Sequence, residues 1–328
     1  MDLFKGKHVL VTGASGFIGS HLSRMLLDEG AQVTVVTRYS SIEHNVRLAG
    51  MWDDLQIVEG DIRYIDSLSA LRKIRFDYVF HLAAYNHVGN SFQHPNEAME
   101  TNCQGTANVL ETVTGYERFV YISTSETYGL QDSVPFVETM YPHPVSPYSI
   151  GKYAGELYSL AKKSEASWPI VVLRPFNAFG PYQSTRAVIP ELIVKCLTGE
   201  PVVTTEGKQT REFNYVTNLV EGMLLAAQAP GVEGEVINLG CGQDIAICDL
   251  TRRIHAETDS SAELKIGALA TRDNEIWRMY ADAAKADRLL GWKPSVSFAD
   301  GLEATIAWFR KYVALYHDQT SPLVALSR

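Results

Sequence analysis

Residues 7–27 read KHVLVTGASGFIGSHLSRMLL. Val9 to Thr12 form a short β-favouring run, and Leu22, Leu26 and Leu27 return at helical spacing after it. Between the two, Gly13, Gly16 and Gly19 stand three apart. Small residues there let the backbone approach a pyrophosphate, and the helix that follows offers it free N–H groups and a positive dipole end. Strand, glycine loop and helix in that order predict a dinucleotide site, with Phe17 and Ile18 in the same turn. The plainer alternative is a glycine-rich turn with no ligand.

Outward from that loop, β-branched runs alternate with helical stretches. The runs are KHVLVT, AQVTVVT, LQIVEG, DYVFHLA, RFVYIS and PIVVLRP. Such alternation predicts an α/β fold, a Rossmann-type doubly wound parallel sheet with helices on both faces. After about residue 180 the pattern loosens into helices, turns and short strands. Residues 1–180 are therefore expected to form the NAD(P)-binding domain, and residues 181–328 a smaller substrate-binding α/β portion. One late strand, near 235–239, is expected to return to the main sheet.

The 328-residue chain has a formal net charge of −9, with 46% hydrophobic and 10% aromatic residues. No basic stripe is present to follow a nucleic-acid backbone, so no nucleic-acid partner is expected. Cys103, Cys196, Cys241 and Cys248 lie far apart, without metal-ligand or redox spacing, and no metal site is expected. A strand begins almost at the N-terminus, without a signal peptide, and no apolar run is long enough to span a bilayer. A cytoplasmic protein without a membrane partner is the expectation.

The end of the second strand bears on the cofactor. A carboxylate about 18 residues after the last loop glycine would hold the ribose hydroxyls of NAD. Thr37 stands there, followed by Arg38. A missing acid and a present cation favour NADP over NAD, unless Arg38 is only a solvated surface residue. Asp61 and Ile62, after the third strand, are placed to touch the adenine. Asp61 could equally cap the IDSLSAL helix.

Residues 146–163, SPYSIGKYAGELYSLAKK, hold one spacing twice: Tyr148 with Lys152, and Tyr158 with Lys162. Positions four apart share a helix face, so either lysine could lower the pKa of its tyrosine. In doubly wound sheets ligands sit at the carboxyl ends of the strands, and a helix leading back to the next strand starts near that edge. Tyr148 and Lys152 lie in its first turns. Tyr158 lies ~15 Å further along the axis. Tyr148 is thus the expected base, helped by Lys152. Thr124, after RFVYIS, is placed to hydrogen-bond a substrate hydroxyl or the tyrosine, with Ser125 and Glu126 in the same loop. Glu126 is either a turn cap or a second acid–base group.

Together these residues resemble the extended short-chain dehydrogenase/reductases, in the NAD-dependent epimerase/dehydratase branch. The resemblance covers nearly the whole chain through TGASGFIG (12–19), GDI (60–62), HLAA (81–84), NCQGTANVLE (102–111), STSETYG (123–129), SPYSIGK (146–152), RPFNAFGP (174–181), TREFNYV (210–216) and ADAAKADRLLGWKP (281–294). It implies a tightly bound, recycled NAD(P) that also touches Leu82, Ala83 and Ala84. It implies transient oxidation of a nucleotide-diphosphate sugar at C4, with Tyr148 as base and Lys152 also holding the nicotinamide ribose. Thr37–Arg38 departs from the usual NAD preference.

Within that branch, STSE looks like the loop of 4,6-dehydratases and UDP-glucuronate decarboxylases. GPYQSTRAVIP, TREFNYV and TRDNEIWRMYAD look most like UDP-N-acetylglucosamine 4,6-dehydratases. By matching positions, Asn177 and Arg211 would contact the diphosphate, Arg272 would close on it and Arg186 would assist. A UDP-sugar is the favoured substrate, with GDP- and dTDP-sugars as alternatives. The implied activity is a nucleotide-sugar 4,6-dehydratase giving a 4-keto-6-deoxy sugar. The alternatives are a 4-epimerase or a decarboxylase of the same branch and, more distantly, a non-catalytic NADP-binding regulator. The helices NEAMETNCQGTANVLETV and PYSIGKYAGELYSLAKK pair across a homodimer in such proteins, so a homodimer is expected.

Overall fold

The computed structural model describes residues 3–39, 46–271 and 275–317. Seven parallel strands form the central sheet: β1 (His8–Thr12), β2 (Gln32–Thr37), β3 (Leu55–Glu59), β4 (Tyr78–His81), β5 (Arg118–Ile122), β6 (Ile170–Pro175) and β7 (Val236–Leu239). Their spatial order is β7-β6-β5-β4-β1-β2-β3. Every pairing is parallel. The doubly wound sheet expected from the strand–helix alternation is what forms. Its strand order reverses between β1 and β4, which opens a crevice beyond their carboxyl ends.

The strands are apolar because both faces are covered. Val9, Val11, Val33, Val35, Phe80 and Val120 point into one core, under the helix α1 (Phe17–Asp28) and the helix Val216–Gln228. Leu10, Val36, Val79, Phe119 and Tyr121 point into the other. That second core lies under the helix α2 (Gly105–Thr112) and under α3 (Pro147–Ala166). Strand β7 pairs with β6 from Val236↔Val172 to Leu239↔Pro175. The C-terminal half thus gives the main sheet a strand and, in Val216–Gln228, a covering helix. A third core around Phe179, Ile193, Phe213, Leu250, Leu302 and Phe309 lies apart from the sheet. Small sheets flank it, including one of Thr210–Glu212 between Asp244–Ala246 and Arg278–Met279. Among the described residues no helix is long and apolar enough to cross a membrane.

Helix α3 carries both tyrosine–lysine pairs, and its start is sharply defined. Ser146 caps it through a reciprocal pair with Ser149, and Pro147 supplies a preset first turn. Gly155 lets α3 lie close on the helix that precedes α2. A Cβ there would stand 2.6 Å from Asn102 O and from the Tyr121 hydroxyl. Helical glycine is normally about 1 kcal/mol worse than alanine, but overpacking of this kind costs about 1–3 kcal/mol. Glycine wins at this position because its neighbours include a backbone oxygen.

Candidate functional site

The crevice is built from five elements. The glycine loop gives Gly13, Gly16, Phe17, Ile18 and Gly19, and the segment after β4 gives Leu82, Ala84, Asn86 and Val88. The end of β5 and its loop give Ile122, Ser123, Thr124, Ser125 and Glu126. Tyr148 and Lys152 come from α3, and Asn177 from the turn after β6. A separate surface groove, lined by Gly30–Val33, Asp54 and Gln56, lies at the opposite, amino-terminal edge of the sheet and holds none of this chemistry.

The glycine loop fits a dinucleotide pyrophosphate. Gly13 has φ +77°, and a Cβ on it would meet Ala83 N at 2.6 Å. A Cβ on Gly19 would collide with Gly13 O. Gly16 caps α1 with no side chain across the helix N-terminus, which leaves the first N–H groups for an anion. The loop is braced from behind by a buried chain. The Thr12 hydroxyl lies 2.7 Å from His81 Nδ1 and also accepts from Ala83 N at 3.2 Å. His81 Nε2 lies 3.1 Å from the Thr106 hydroxyl, which donates to Asn102 O. Burial pushes the His81 pKa down to about 3, so the ring stays neutral.

The adenosine end is less regular. Thr37 closes β2; it is buried, and its hydroxyl has no hydrogen-bond partner among the described residues. Arg38 is exposed and acts electrostatically on Asp61. The Asp61 carboxylate is held by Arg63, through the backbone N–H at 3.0 Å and the guanidinium at 2.6 Å. That pair holds its pKa below the usual range. The alternative of Asp61 as a helix cap is thereby corrected: the run Ile65–Lys73 begins without a side-chain cap. Ile62 is buried against Gly105.

At the far end of the crevice, three consecutive residues from the end of β5 meet one face of α3. Lys152 Nζ donates to Ile122 O. The Ser123 hydroxyl donates to Glu156 Oε2 at 2.7 Å. The Thr124 hydroxyl bonds Tyr148. Because Glu126 N already donates to Thr124 Oγ1 at 3.2 Å, the Thr124 proton is free to point at the phenol. Lys152 also lies 4.5 Å over the Tyr121 ring, and the Tyr121 hydroxyl holds its backbone carbonyl at 2.8 Å.

The charge states differ from the sequence expectation. Lys152 was expected to lower the Tyr148 pKa. Burial instead pushes Tyr148 up to about 12, against the Thr124 hydrogen bond. Burial also pulls Lys152 down to about 7, against the pull of Glu156. Desolvation penalises both charged forms, and burial cannot be read from a four-residue spacing. Glu126 is raised as well, by burial and by Glu275, with Arg211 opposing. A carboxyl group shifted upward in this way holds a proton more readily than an exposed one, which suits an acid–base role.

The second pair is structural. The Tyr158 hydroxyl donates to Glu111 at 2.7 Å, and Lys162 pairs with Glu111 at 2.6 Å. Neither lines the crevice. Ala83 likewise packs behind the loop and is absent from the crevice wall. Asn177 donates to Glu212 O at 2.9 Å. Arg211 is committed to Glu275 at 2.5 Å and to Ile276 O at 2.6 Å. Arg186 is exposed and away from the crevice. Arg272 lies outside the described residues.

Three groups beside the site carry no assignment from sequence. Asn102, fully buried, accepts from Tyr85 N at 2.7 Å and donates to Tyr148 O at 3.4 Å, which ties the segment after β4 to the start of α3. Its one sequence signal is an asparagine on the buried side of a helix. Glu156 and Arg174 form a buried pair below Lys152. Glu156 was visible only as an acid continuing the Tyr148–Lys152 spacing.

Residues 10–305 match the family model described as GDP-mannose 4,6 dehydratase. The chain is 33% identical to the dTDP-glucose 4,6-dehydratase of Streptomyces griseus, over 93% of this chain and 94% of that protein. An epimerase from Methanothermobacter thermautotrophicus superposes with a TM-score of 0.88 at 34% identity, covering 96% of this chain and 95% of the other. A dTDP-glucose 4,6-dehydratase from Streptomyces venezuelae, solved with NAD bound, gives a TM-score of 0.84 at 31% identity, covering 93% and 97%.

The two tyrosines should separate cleanly. Tyr148→Phe removes the phenol that faces the crevice and should cost ~10²–10⁴ in turnover. Tyr158→Phe loses one surface hydrogen bond and should leave turnover nearly intact, with at most ~1 kcal/mol of stability lost. Comparable turnover losses in both variants would place the chemistry elsewhere on the helix.

Proposed function

The chain belongs to the GDP-mannose 4,6-dehydratase family, in the epimerase/dehydratase branch of the short-chain dehydrogenase/reductases, and on that premise we propose that this enzyme is a nucleotide-sugar 4,6-dehydratase. The observation that carries the proposal is Glu126. It is a carboxyl group in the same crevice as Tyr148, one loop from it, with its pKa raised by burial. Oxidation and re-reduction at C4 alone need one acid–base group. Elimination across C5 and C6 needs a second, because Tyr148 is engaged at C4.

Tyr148, assisted by Thr124 and Lys152, takes the C4 hydroxyl proton. A bound nicotinamide supplies a hydride acceptor and donor and, when oxidised, a positive charge that favours the phenolate. The resulting C4 ketone acidifies C5–H. Glu126 takes that proton, and water leaves from C6 with Ser125 alongside the departing oxygen. With the hydride taken from C4 returned to C6 and a proton returned to C5 from Glu126, the product is a 4-keto-6-deoxy sugar, and no outside oxidant is consumed. Residues 1–180 serve the dinucleotide and residues 181–328 mainly the nucleotide sugar. Asn177 and Arg211 bind the diphosphate, with Arg186 and Arg272 assisting. A UDP-sugar is the first candidate, then GDP- and dTDP-sugars. Arginine suits a diphosphate because its planar fork donates two bonds at once. For Arg211 to do so, Glu275 must share it.

Mass measurement after incubation with UDP-, GDP- and dTDP-sugars tests the proposal. Loss of the mass of one water supports it. Loss of carbon dioxide would make the enzyme a decarboxylase, and an unchanged mass with inverted C4 an epimerase.

Two finer points belong to the same proposal. Arg38 beside Thr37, with no carboxylate at the end of β2, favours NADP over NAD. Denatured protein should release mainly NADP, and Arg38→Ala should weaken NADP more than NAD; release of NAD alone would overturn this. Ile150 and Leu157, seven residues apart on α3, are 43% and 49% exposed, and Phe92, which ends the short helix Val88–Ser91 packed on α3, is 61% exposed. An apolar stripe of this kind suits a homodimer through α3 and the helices before it. Light scattering of the purified chain should give twice its 36.4 kDa mass; a monomer at micromolar concentration would contradict it.

A further inference from the structure

Glu156 and Arg174 are 1% and 3% exposed and take no direct part in the chemistry above. Their pairing is bidentate: Arg174 Nε donates to Glu156 Oε2 at 3.1 Å and Nη2 to Oε1 at 2.5 Å. The Ser123 hydroxyl donates to Oε2 as well. Glu156 stands one turn beyond Lys152 on the same face of α3. The two side chains are bound to adjacent residues of one strand, Lys152 to Ile122 O and Glu156 to Ser123. Arg174 sits at the end of β6, stacked 4.6 Å over the Tyr128 ring, and its Nη1 has no hydrogen-bond partner among the described residues.

We infer that Glu156 is a positioning residue whose carboxylate is the fixed counter-charge of Lys152, and that Arg174 clamps that carboxylate to the ends of β5 and β6. The inference rests on Tyr148 and Lys152 being the acid–base pair. Among the described residues Glu156 is the one anion that acts on Lys152; Glu126, in the same crevice, acts on Tyr148 instead. From β4 it faces His81, which is neutral, and from β5 Tyr121, which burial keeps protonated. On its own helix it faces Tyr148, protonated for the same reason, and Glu156. Glu156 in turn faces Arg174 and the half-buried Tyr153. Glu138 reaches this network only through Tyr128 and Asn238. Two cations therefore share one buried carboxylate, and Glu156 supplies the pull that opposes the desolvation of Lys152.

The test needs no sugar, so the dehydratase proposal can fail while this one stands. NAD+ affinity of the full chain, stripped of co-purified nucleotide, is measured by calorimetric titration across mildly acidic, neutral and alkaline pH. In the parent protein affinity should fall as Lys152 loses its proton. Glu156→Gln removes the anion that acts on Lys152 and leaves Arg174 unpaired, so the midpoint should drop by roughly 1 pH unit or more. Glu156→Gln/Arg174→Gln removes both charges. It should drop by less, because the nearer carboxylate is lost together with the more distant guanidinium. Arg174→Lys keeps the charge balance and should leave the midpoint in place in a less stable protein. An unchanged midpoint in Glu156→Gln overturns the inference, however far stability falls. If that variant does not fold, an unchanged midpoint in the double variant does the same, as does a parent affinity that is flat with pH.

Discussion

The segment Ile122–Thr124, where β5 ends, packed against one face of α3, is the contact on which the site depends. Ile122, Ser123 and Thr124 are consecutive, and they hold Lys152, Glu156 and Tyr148 respectively. β5 ends at Ile122, so Ser123 and Thr124 lie beyond the pleat that turns successive side chains to opposite faces, and both can reach one helix. Ile122 contributes its carbonyl, while Ser123 and Thr124 contribute hydroxyls. The helix can come this close because Gly155 leaves room against Asn102 and Tyr121. The same turn then runs into Ser125 and Glu126, so both proposed acid–base groups are fixed by one short segment.

This arrangement sets a strong cost against a strong compensation. A tenfold change in protonation is about 1.4 kcal/mol. Lowering Lys152 from its ordinary 10.5 to about 7 therefore removes roughly 5 kcal/mol from its charged form. Burying the Glu156–Arg174 pair is itself a weak source of stability, but losing one partner typically costs about 3–5 kcal/mol. Such a pair is better explained by the positions and charges it enforces than by the stability it adds.

Much of the fold was legible in the sequence because its signals are local. The β-branched runs, the strand–glycine–helix order at residues 7–27 and the Ser146–Pro147 start of α3 each lie within a few residues of one another. Position along the helix separated Tyr148 from Tyr158, and the structure sets Tyr148 in the crevice and Tyr158 on Glu111. What was not legible joins distant residues or depends on burial. Arg174 meets Glu156 across two elements, and Arg211 meets Glu275 across 64 positions. Asn102 reaches Tyr85 and Tyr148 from a third helix. The direction of the Tyr148 and Lys152 shifts follows from desolvation, which no spacing encodes. Asp61 was open between two roles, and Arg63, two residues on, decided against the cap.

In the proposed mechanism Glu126 removes the C5 proton after Tyr148 has acted at C4. Running the parent enzyme and Glu126→Gln in deuterated water, with the nucleotide sugar that turns over, tests it most directly. Deuterium is expected at C5 of the parent's dehydrated product. Glu126→Gln should still build up reduced-nicotinamide absorbance while losing ~10²–10⁴ in water elimination, with hardly any deuterium at C5. A Glu126→Gln enzyme that eliminates water at the parent rate would contradict it.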